Sequence, residues 1–500
     1  MGIVLKQSFR NTIIIYTAFL IGGINTIAFY PNFLGEEFYG MVIFVLSASN
    51  LIMPLSAFGI QYTIVKFYSS YDTKKERDVF LSSIIFLPLI ISLVIGLSWD
   101  YIHDWIMSQI TDESKIVVDY TLSIYLVAVA CAYFELFYSW TKVQLQTVFG
   151  NVLKELWNRV VVMILLLAVF LDFITKFQFI WFLTGAYILR TIVMMGYAFY
   201  MYLPKFYFVF PKNIKEIIQY SFYIILAGSA GAILLDIDKV MIPGKEAMNV
   251  AAYYTVAVFI GSFIEAPSRA MTQILQPLTS KSLNEANAEE VENLYKKSSI
   301  NLLLVGGLFF ILVNCSVAEL FKMMPDKGYS GGELVVLMIS LAKLSTMFLG
   351  SNGAIISNSK FYKITMPLAI GMSIMVYLLN ILFYHELNMG TDGLALATLC
   401  TILLFNCIKL WFVNFRFSIT PFTSKSLLLF VVILTFFLSF YFWSFPIPDL
   451  LILDFSISPI INIALKSLLI SVVYLFLIFK LNISNEFDIL LQKFYKWQSR

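Results

Sequence analysis

The sequence predicts an all-α polytopic membrane protein with fourteen transmembrane helices, and three observations carry that prediction. The chain of 500 residues is 60% hydrophobic and 13% charged, about half the charged fraction of a soluble globular domain, with a mean hydropathy of +0.83. Its apolar residues gather into runs of the ~20 residues that a helix needs to cross hydrocarbon. Its basic residues collect on one side of those runs.

In chain order the spans cover residues 11–30, 39–61, 79–101, 116–140, 157–175, 178–201, 218–242, 248–272, 299–320, 333–357, 364–384, 391–414, 425–444 and 458–480. Lys6 and Arg10 ahead of the apolar stretch 12–30 imitate a secretory signal, but the stretch is too long and no small-residue cleavage site follows it. It reads as the first, uncleaved span. With a cytoplasmic N-terminus the inner segments hold 24 of the 34 Lys and Arg and the outer segments five, the other five lying within spans. This is the positive-inside pattern, and one span missing or invented midway would destroy it. Both termini are therefore expected in the cytoplasm.

The two longest polar connections, 66–78 and 280–297, fall on the cytoplasmic side; Glu285, Glu289, Glu290 and Glu292 make the second a short solvated helix. The tail places Phe487, Leu490, Leu491, Phe494 and Trp497 at helical spacing beside Lys493 and Lys496, a pattern suited to lying on the membrane surface. The segment 202–220, with Pro204, Pro211, Lys205, Lys212 and Lys215, reads as a joint between two bundles, as in transporters built from repeats. This gives an N-terminal lobe of residues 1–210 with spans one to six and a C-terminal lobe of 211–420 with spans seven to twelve. Spans thirteen and fourteen and the tail then occupy 421–500.

Composition also excludes. A net charge of +3 supplies no basic field for nucleic acid. Cys131, Cys315, Cys400 and Cys407 lie in apolar runs without metal-ligand spacing, and the two histidines, His103 and His385, sit in separate connections. No metal site and no cofactor are expected. No connecting segment is long enough to fold as a catalytic domain, so the chain does not read as an enzyme.

The run Pro31-Asn32-Phe33-Leu34-Gly35-Glu36-Glu37-Phe38-Tyr39-Gly40, followed by a span ending Pro54-Leu55-Ser56-Ala57-Phe58-Gly59-Ile60, resembles the first two helices of bacterial Wzx-type polysaccharide flippases. These belong to the multidrug, oligosaccharidyl-lipid and polysaccharide (MOP) exporter superfamily, which includes the MATE transporters. Leu235-Asp236-Ile237-Asp238-Lys239-Val240-Met241-Ile242, followed by Ala251-Ala252-Tyr253-Tyr254-Thr255-Val256-Ala257, is similar to the start of that family's second lobe. The sequence departs at Asn32, near a place where the family often carries a basic residue. The resemblance implies a MATE-like pair of six-helix lobes around a central cavity, in a bacterial inner membrane. It implies a flippase that carries undecaprenyl-pyrophosphate-linked oligosaccharide to the periplasmic leaflet by alternating access. Membrane lipids, H+ or Na+, and other polysaccharide-assembly proteins are the implied further partners. A fourteenth span favours a lipid-linked substrate over the superfamily's cation-coupled drug exporters, which generally stop at twelve. A membrane polymerase or ligase of lipid-linked sugars would need a larger outer loop than 101–115.

Ionisable groups inside hydrocarbon cost several kcal/mol each unless they meet a partner or a wet cavity, so they mark the candidate site. Arg190 in span six and Lys343 in span ten lie near the bilayer centre with no acid three or four positions away, and are expected either to line the cavity and bind the substrate's phosphates or to form a salt bridge with an acid on another helix. Arg269 is a third such cation, although Glu265, four residues before it, is placed to neutralise it. Pro267 between them is expected to kink the span and free a carbonyl. Asp236 and Lys239 are three apart in span seven, with Asp238 on another face, and together with Glu265 they are gating or ion-coupling candidates. Gly228, Ala232, Gly350 and Gly353 are expected to permit close helix approach. Ser351, Asn352 and Asn358 offer polar groups either to sugar hydroxyls or to a neighbouring helix.

Overall fold

In hydrocarbon every backbone N–H and C=O has to be satisfied within its own segment, so the apolar runs of this chain fold as helices. The computed structural model describes residues 2–484 apart from 109, 145, 325–327, 330, 449–450 and 453–454. The tail pattern from Phe487 to Trp497 lies outside the described residues. Among the described residues, eleven helices are long and apolar enough to cross a membrane, from Ile13–Leu34 to Ser458–Lys480. Span ten makes a twelfth as a broken pair, Glu333–Phe348 and Asn352–Asn358, bent by 57°. The other two expected spans correspond to shorter apolar helices, Asn158–Phe170 for span five and Ser424–Phe440 for span thirteen. Span five starts earlier than its hydropathy suggests. Helix Val148–Asn151 and the π-helical stretch Val152–Trp157 precede it, and Asp172, in a left-handed turn at φ 57°, follows its end. A two-residue antiparallel pair, Leu451–Ile452 with Phe455–Ser456, lies between spans thirteen and fourteen.

The chain divides into two compact units. The first comprises residues 1–255 and 369–381. Span four (Ile116–Val143) packs against span two (Glu36–Ala57) and span six (Lys176–Met201), and its Phe134 and Trp140 are fully buried with Ile64 and Phe80. The conspicuous run after span one folds on itself. Pro31 lies inside a π-helical stretch, Asn25–Leu34, where a widened turn accommodates the missing N–H, and Tyr30 stacks on Tyr39 at 4.2 Å. Asn32 donates its side-chain amide to Ala28 O of its own turn at 2.8 Å. Span two ends where Phe58 and Gly59 both turn left-handed, and a short helix, Ile60–Phe67, resumes beyond them.

Gly40 is where span two meets the start of span eight: a Cβ there would lie 1.9 Å from the Met248 carbonyl oxygen. Gly40→Ala is therefore expected to lower stability by about 1–3 kcal/mol, because backbone has to move. Thermal melting in detergent checks this, with Gly353→Ala as the control. At Gly353 a Cβ would meet nothing within 4 Å.

The second unit comprises residues 256–368 and 382–500. Spans nine, ten, thirteen and fourteen enclose its core, in which Ile311, Leu344, Ile433, Ile470 and Tyr474 are buried together. Span fourteen is tied to span nine by polar contacts as well: Lys466 donates to Cys315 O at 2.6 Å and Tyr474 OH to Leu304 O at 3.0 Å. The break in span ten centres on Gly350, whose φ is +52° and whose added Cβ would sit 2.6 Å from Ser299 N. Of the glycines expected at close helix approaches, Gly350 is one. Gly228 is not, since a Cβ there would be 4.0 Å from its nearest neighbour, Tyr62, and neither is Gly353. Large apolar side chains such as Leu97, Phe170, Leu468 and Val472 stay exposed on the surface of the spans, as lipid-facing residues do.

Candidate functional site

Intramembrane charges group differently in the two units, and each group is built by helices arriving from distant parts of the sequence. In the first unit Arg190 is 4% exposed on span six. Its guanidinium lies 4.1 Å from the Phe134 ring and 4.8 Å from the Tyr187 ring, and Nη2 donates to Cys131 Sγ at 3.4 Å. Its Nε has no acceptor. No carboxylate lies within ion-pair distance of Arg190 among the described residues. Span four supplies the ring and the thiol, so this cation is seated on π faces rather than neutralised.

Span seven (Ile214–Gly244) carries two carboxylates into that unit. Asp236 pairs with Lys239 at 2.9 Å, as their spacing predicts, and also accepts from Ser47 at 3.1 Å and from Asn50 at 3.2 Å on span two. Lys239 further donates to Leu235 O at 3.0 Å. Asp238 points elsewhere. It accepts from Tyr254 OH at 2.6 Å and from Asn380 Nδ2 at 2.7 Å, and all three are buried. A buried carboxylate that accepts from a phenol and an amide is a polar site of the kind that can take a proton or a small cation.

A third ionic group joins an acid within span four to a lysine that hydropathy places outside the spans. Lys154, at the π-helical entry to span five, pairs with Glu135 of span four at 2.6 Å. One turn on, Arg159 faces Glu155 at 3.9 Å, lies over the Phe19 ring at 5.3 Å, and has its backbone carbonyl capped by Asn25. Hydropathy starts span five at 157 and so leaves Lys154 in a loop. The helix that begins at Val148 carries it into the bundle.

In the second unit Lys343 of span ten meets Glu265 of span eight at 2.6 Å. Sequence spacing offers Arg269 as the partner of Glu265, and the geometry gives that acid an interhelical partner, Lys343, as well. The expected disturbance at Pro267 is present: span eight tightens to a 3-10 turn at Phe263–Glu265, and a new helix, Ala266–Asn284, starts with Pro267 in its first turn. Ser268 Oγ donates to Glu265 O at 2.9 Å beside the break. Arg269 is exposed one turn further. The polar residues near the break in span ten serve the fold: Asn352 donates to Tyr295 OH at 2.8 Å, and Asn358 to Gln276 O at 3.4 Å and Ala354 O at 2.9 Å. Ser298 Oγ accepts from Ser351 N at 2.9 Å.

Among the described residues no group of three or more His, Cys, Asp or Glu could hold a metal ion. The charged groups of the spans are cations and carboxylates, with aromatic faces beside them.

No curated protein sequence gives a significant match to the chain. Solved structures resemble it at low sequence identity. The lipid II flippase MurJ in an inward closed conformation superposes with a TM-score of 0.68 at 16% identity, over 93% of this chain and 98% of that one. An inward-facing multidrug resistance MATE transporter of the MOP superfamily superposes with a TM-score of 0.62 at 15% identity, over 80% of this chain and 94% of that one. These likenesses establish a MurJ- and MATE-like fold. The sequence profile of the polysaccharide biosynthesis protein family matches residues 5–282, more than half of the chain, and the protein belongs to that family.

Proposed function

We propose that the protein is a flippase that carries an undecaprenyl-pyrophosphate-linked oligosaccharide from the cytoplasmic to the periplasmic leaflet of a bacterial inner membrane, with both termini cytoplasmic. It works by alternating access between a lobe of residues 1–210 and a lobe of 211–420, with spans thirteen and fourteen outside them. The observation that carries this reading is Arg190, a permanent cation at mid-span that rests on Phe134 and Tyr187 with no carboxylate in ion-pair distance among the described residues. A pyrophosphate crossing the same low-dielectric zone is the complementary charge. Lys343 and Arg269 are secondary substrate contacts, and Lys343 reaches substrate by exchanging it for Glu265. Asp238 with Tyr254 and Asn380, and Asp236 with Lys239, are the places for a coupling proton or sodium ion. Membership of a polysaccharide-biosynthesis family supports a lipid-linked sugar over a drug as cargo.

The test uses a strain deleted for the gene, with its surface glycan restored by the plasmid-borne protein, and then proteoliposomes containing labelled lipid-linked oligosaccharide. Accumulation of undecaprenyl-linked sugar in the inner leaflet of the deletion strain, and its protein-dependent transfer across the vesicle bilayer, are expected. Normal glycan in the deletion strain, or vesicles that move amphiphilic cations but no lipid-linked sugar, would turn the reading to an exporter.

A further inference from the structure

The irregular segment that joins spans six and seven exposes what a loop usually hides. Phe208 is 92% exposed and Phe210 71%, while the backbone beneath them is hooked to span three (Lys74–Leu97). Ser82 Oγ donates to Lys205 O at 3.2 Å, Ser83 Oγ to Val209 O at 3.2 Å, and Tyr207 N to Ser82 Oγ at 3.3 Å. Tyr202 OH donates to buried Asp78 at 2.7 Å, and Tyr71 OH to Asn213 at 2.7 Å. Held in this way, the segment walls an apolar groove of 580 Å³ against Phe86, Ile90 and Ile218. A second apolar groove, of 430 Å³, starts at neighbouring Ile85 and Phe206 and follows spans three, four and six past Tyr133 and Ile192.

Exposed lysines fringe the loop end of this track: Lys205, Lys212 and Lys215. The acids of span three are largely spoken for. Glu76 closes the capping box with Thr73 at the start of that helix, and Asp78 takes the Tyr202 hydroxyl. Asp72 and Glu216 remain exposed, against Lys74 and Lys75 as well as the three loop lysines.

We infer that this track binds one anionic phospholipid of the bilayer leaflet on the lysine side, with an acyl chain along the grooves and its phosphate at Lys205, Lys212 and Lys215. The lining is aliphatic and aromatic, which suits a hydrocarbon chain. Juxtamembrane lysines are point charges suited to a lipid phosphate. A protein partner fits less well, since the second groove runs along the membrane-crossing helices themselves. A lipid held there braces the connection between span six and span seven. The inference concerns a bilayer lipid, so it stands or falls apart from the flippase reading.

The experiment is native mass spectrometry and thermal melting of the full-length protein in a neutral detergent, with phosphatidylglycerol, phosphatidylcholine of the same chains, or undecaprenyl phosphate. Phosphatidylglycerol should be retained best and raise the melting temperature most. The triple change Lys205→Gln, Lys212→Gln, Lys215→Gln should lower its retention roughly ten-fold or more, towards that of phosphatidylcholine, and Lys→Arg at the same places should restore it. Ile90→Trp, which fills the groove, should reduce retention of both phospholipids. Equal retention of the two phospholipids, an unchanged triple variant, or retention of undecaprenyl phosphate alone would overturn the inference. The lysine side chains are exposed, so the triple variant keeps the fold, and that series decides even if Ile90→Trp does not fold.

Discussion

Surface glycan is expected to fall roughly ten- to a hundred-fold when Arg190 is replaced by Ala, with the protein still present in the membrane. The size follows from a hydrogen bond to a charged group, worth about 1.5–3 kcal/mol, since each 1.4 kcal/mol is a factor of about ten. Phe134, Tyr187 and Cys131 share the guanidinium without neutralising it. A desolvated cation–π contact contributes about 2 kcal/mol or more, of the same order as the roughly 2.5–3.5 kcal/mol that insertion scales give for Arg at a helix centre. The rings therefore hold the cation in place, and a visiting anion adds the countercharge they lack. Arg190→Lys keeps the charge but loses the planar fork that lies on the rings, and should keep part of the export. Quantitative glycan blots beside membrane immunoblots of the complemented strain separate the outcomes. Full export by Arg190→Ala removes Arg190 from the substrate path. Loss of the protein from the membrane would assign it to packing, in which case Phe134→Leu should deplete the protein as well.

The parts of this fold legible in the sequence are those governed by local rules. Apolar runs of membrane length locate the spans without any knowledge of packing, and the i,i+3 spacing of Asp236 and Lys239 foretells their pairing. Pro267 foretells the interruption of span eight. What stays hidden depends on which helices become neighbours. The partners of Asp238 are Tyr254, 16 residues away, and Asn380, 142 residues away, and no periodicity links them. Lys154 looks like a loop residue because hydropathy dates the start of span five by its apolar content, whereas the helix starts at Val148 and brings the lysine to Glu135. Gly228 and Gly353 show the limit of composition rules: a small residue permits close approach, but the fold decides whether anything approaches.

Glu265 and Lys343 provide the second large effect, because each single change removes the other's ion-pair partner across the two helices. The side chains are 23% and 20% exposed, and removing one partner of such a pair costs on the order of 2–5 kcal/mol. Glu265→Gln alone and Lys343→Met alone are therefore expected to lower both the membrane level of the protein and the glycan it exports. The double variant should recover the protein level, since neither charge is then stranded. Glycan separates the roles: recovery along with the protein makes the pair a structural clamp between spans eight and ten, whereas recovered protein with glycan still absent means that Lys343 also meets the substrate. The control is Glu265→Gln with Arg269→Gln, which leaves Lys343 unpaired and should stay defective. Rescue by that second double, and not by the first, would make Arg269 the working partner of Glu265 and overturn the interhelical pairing.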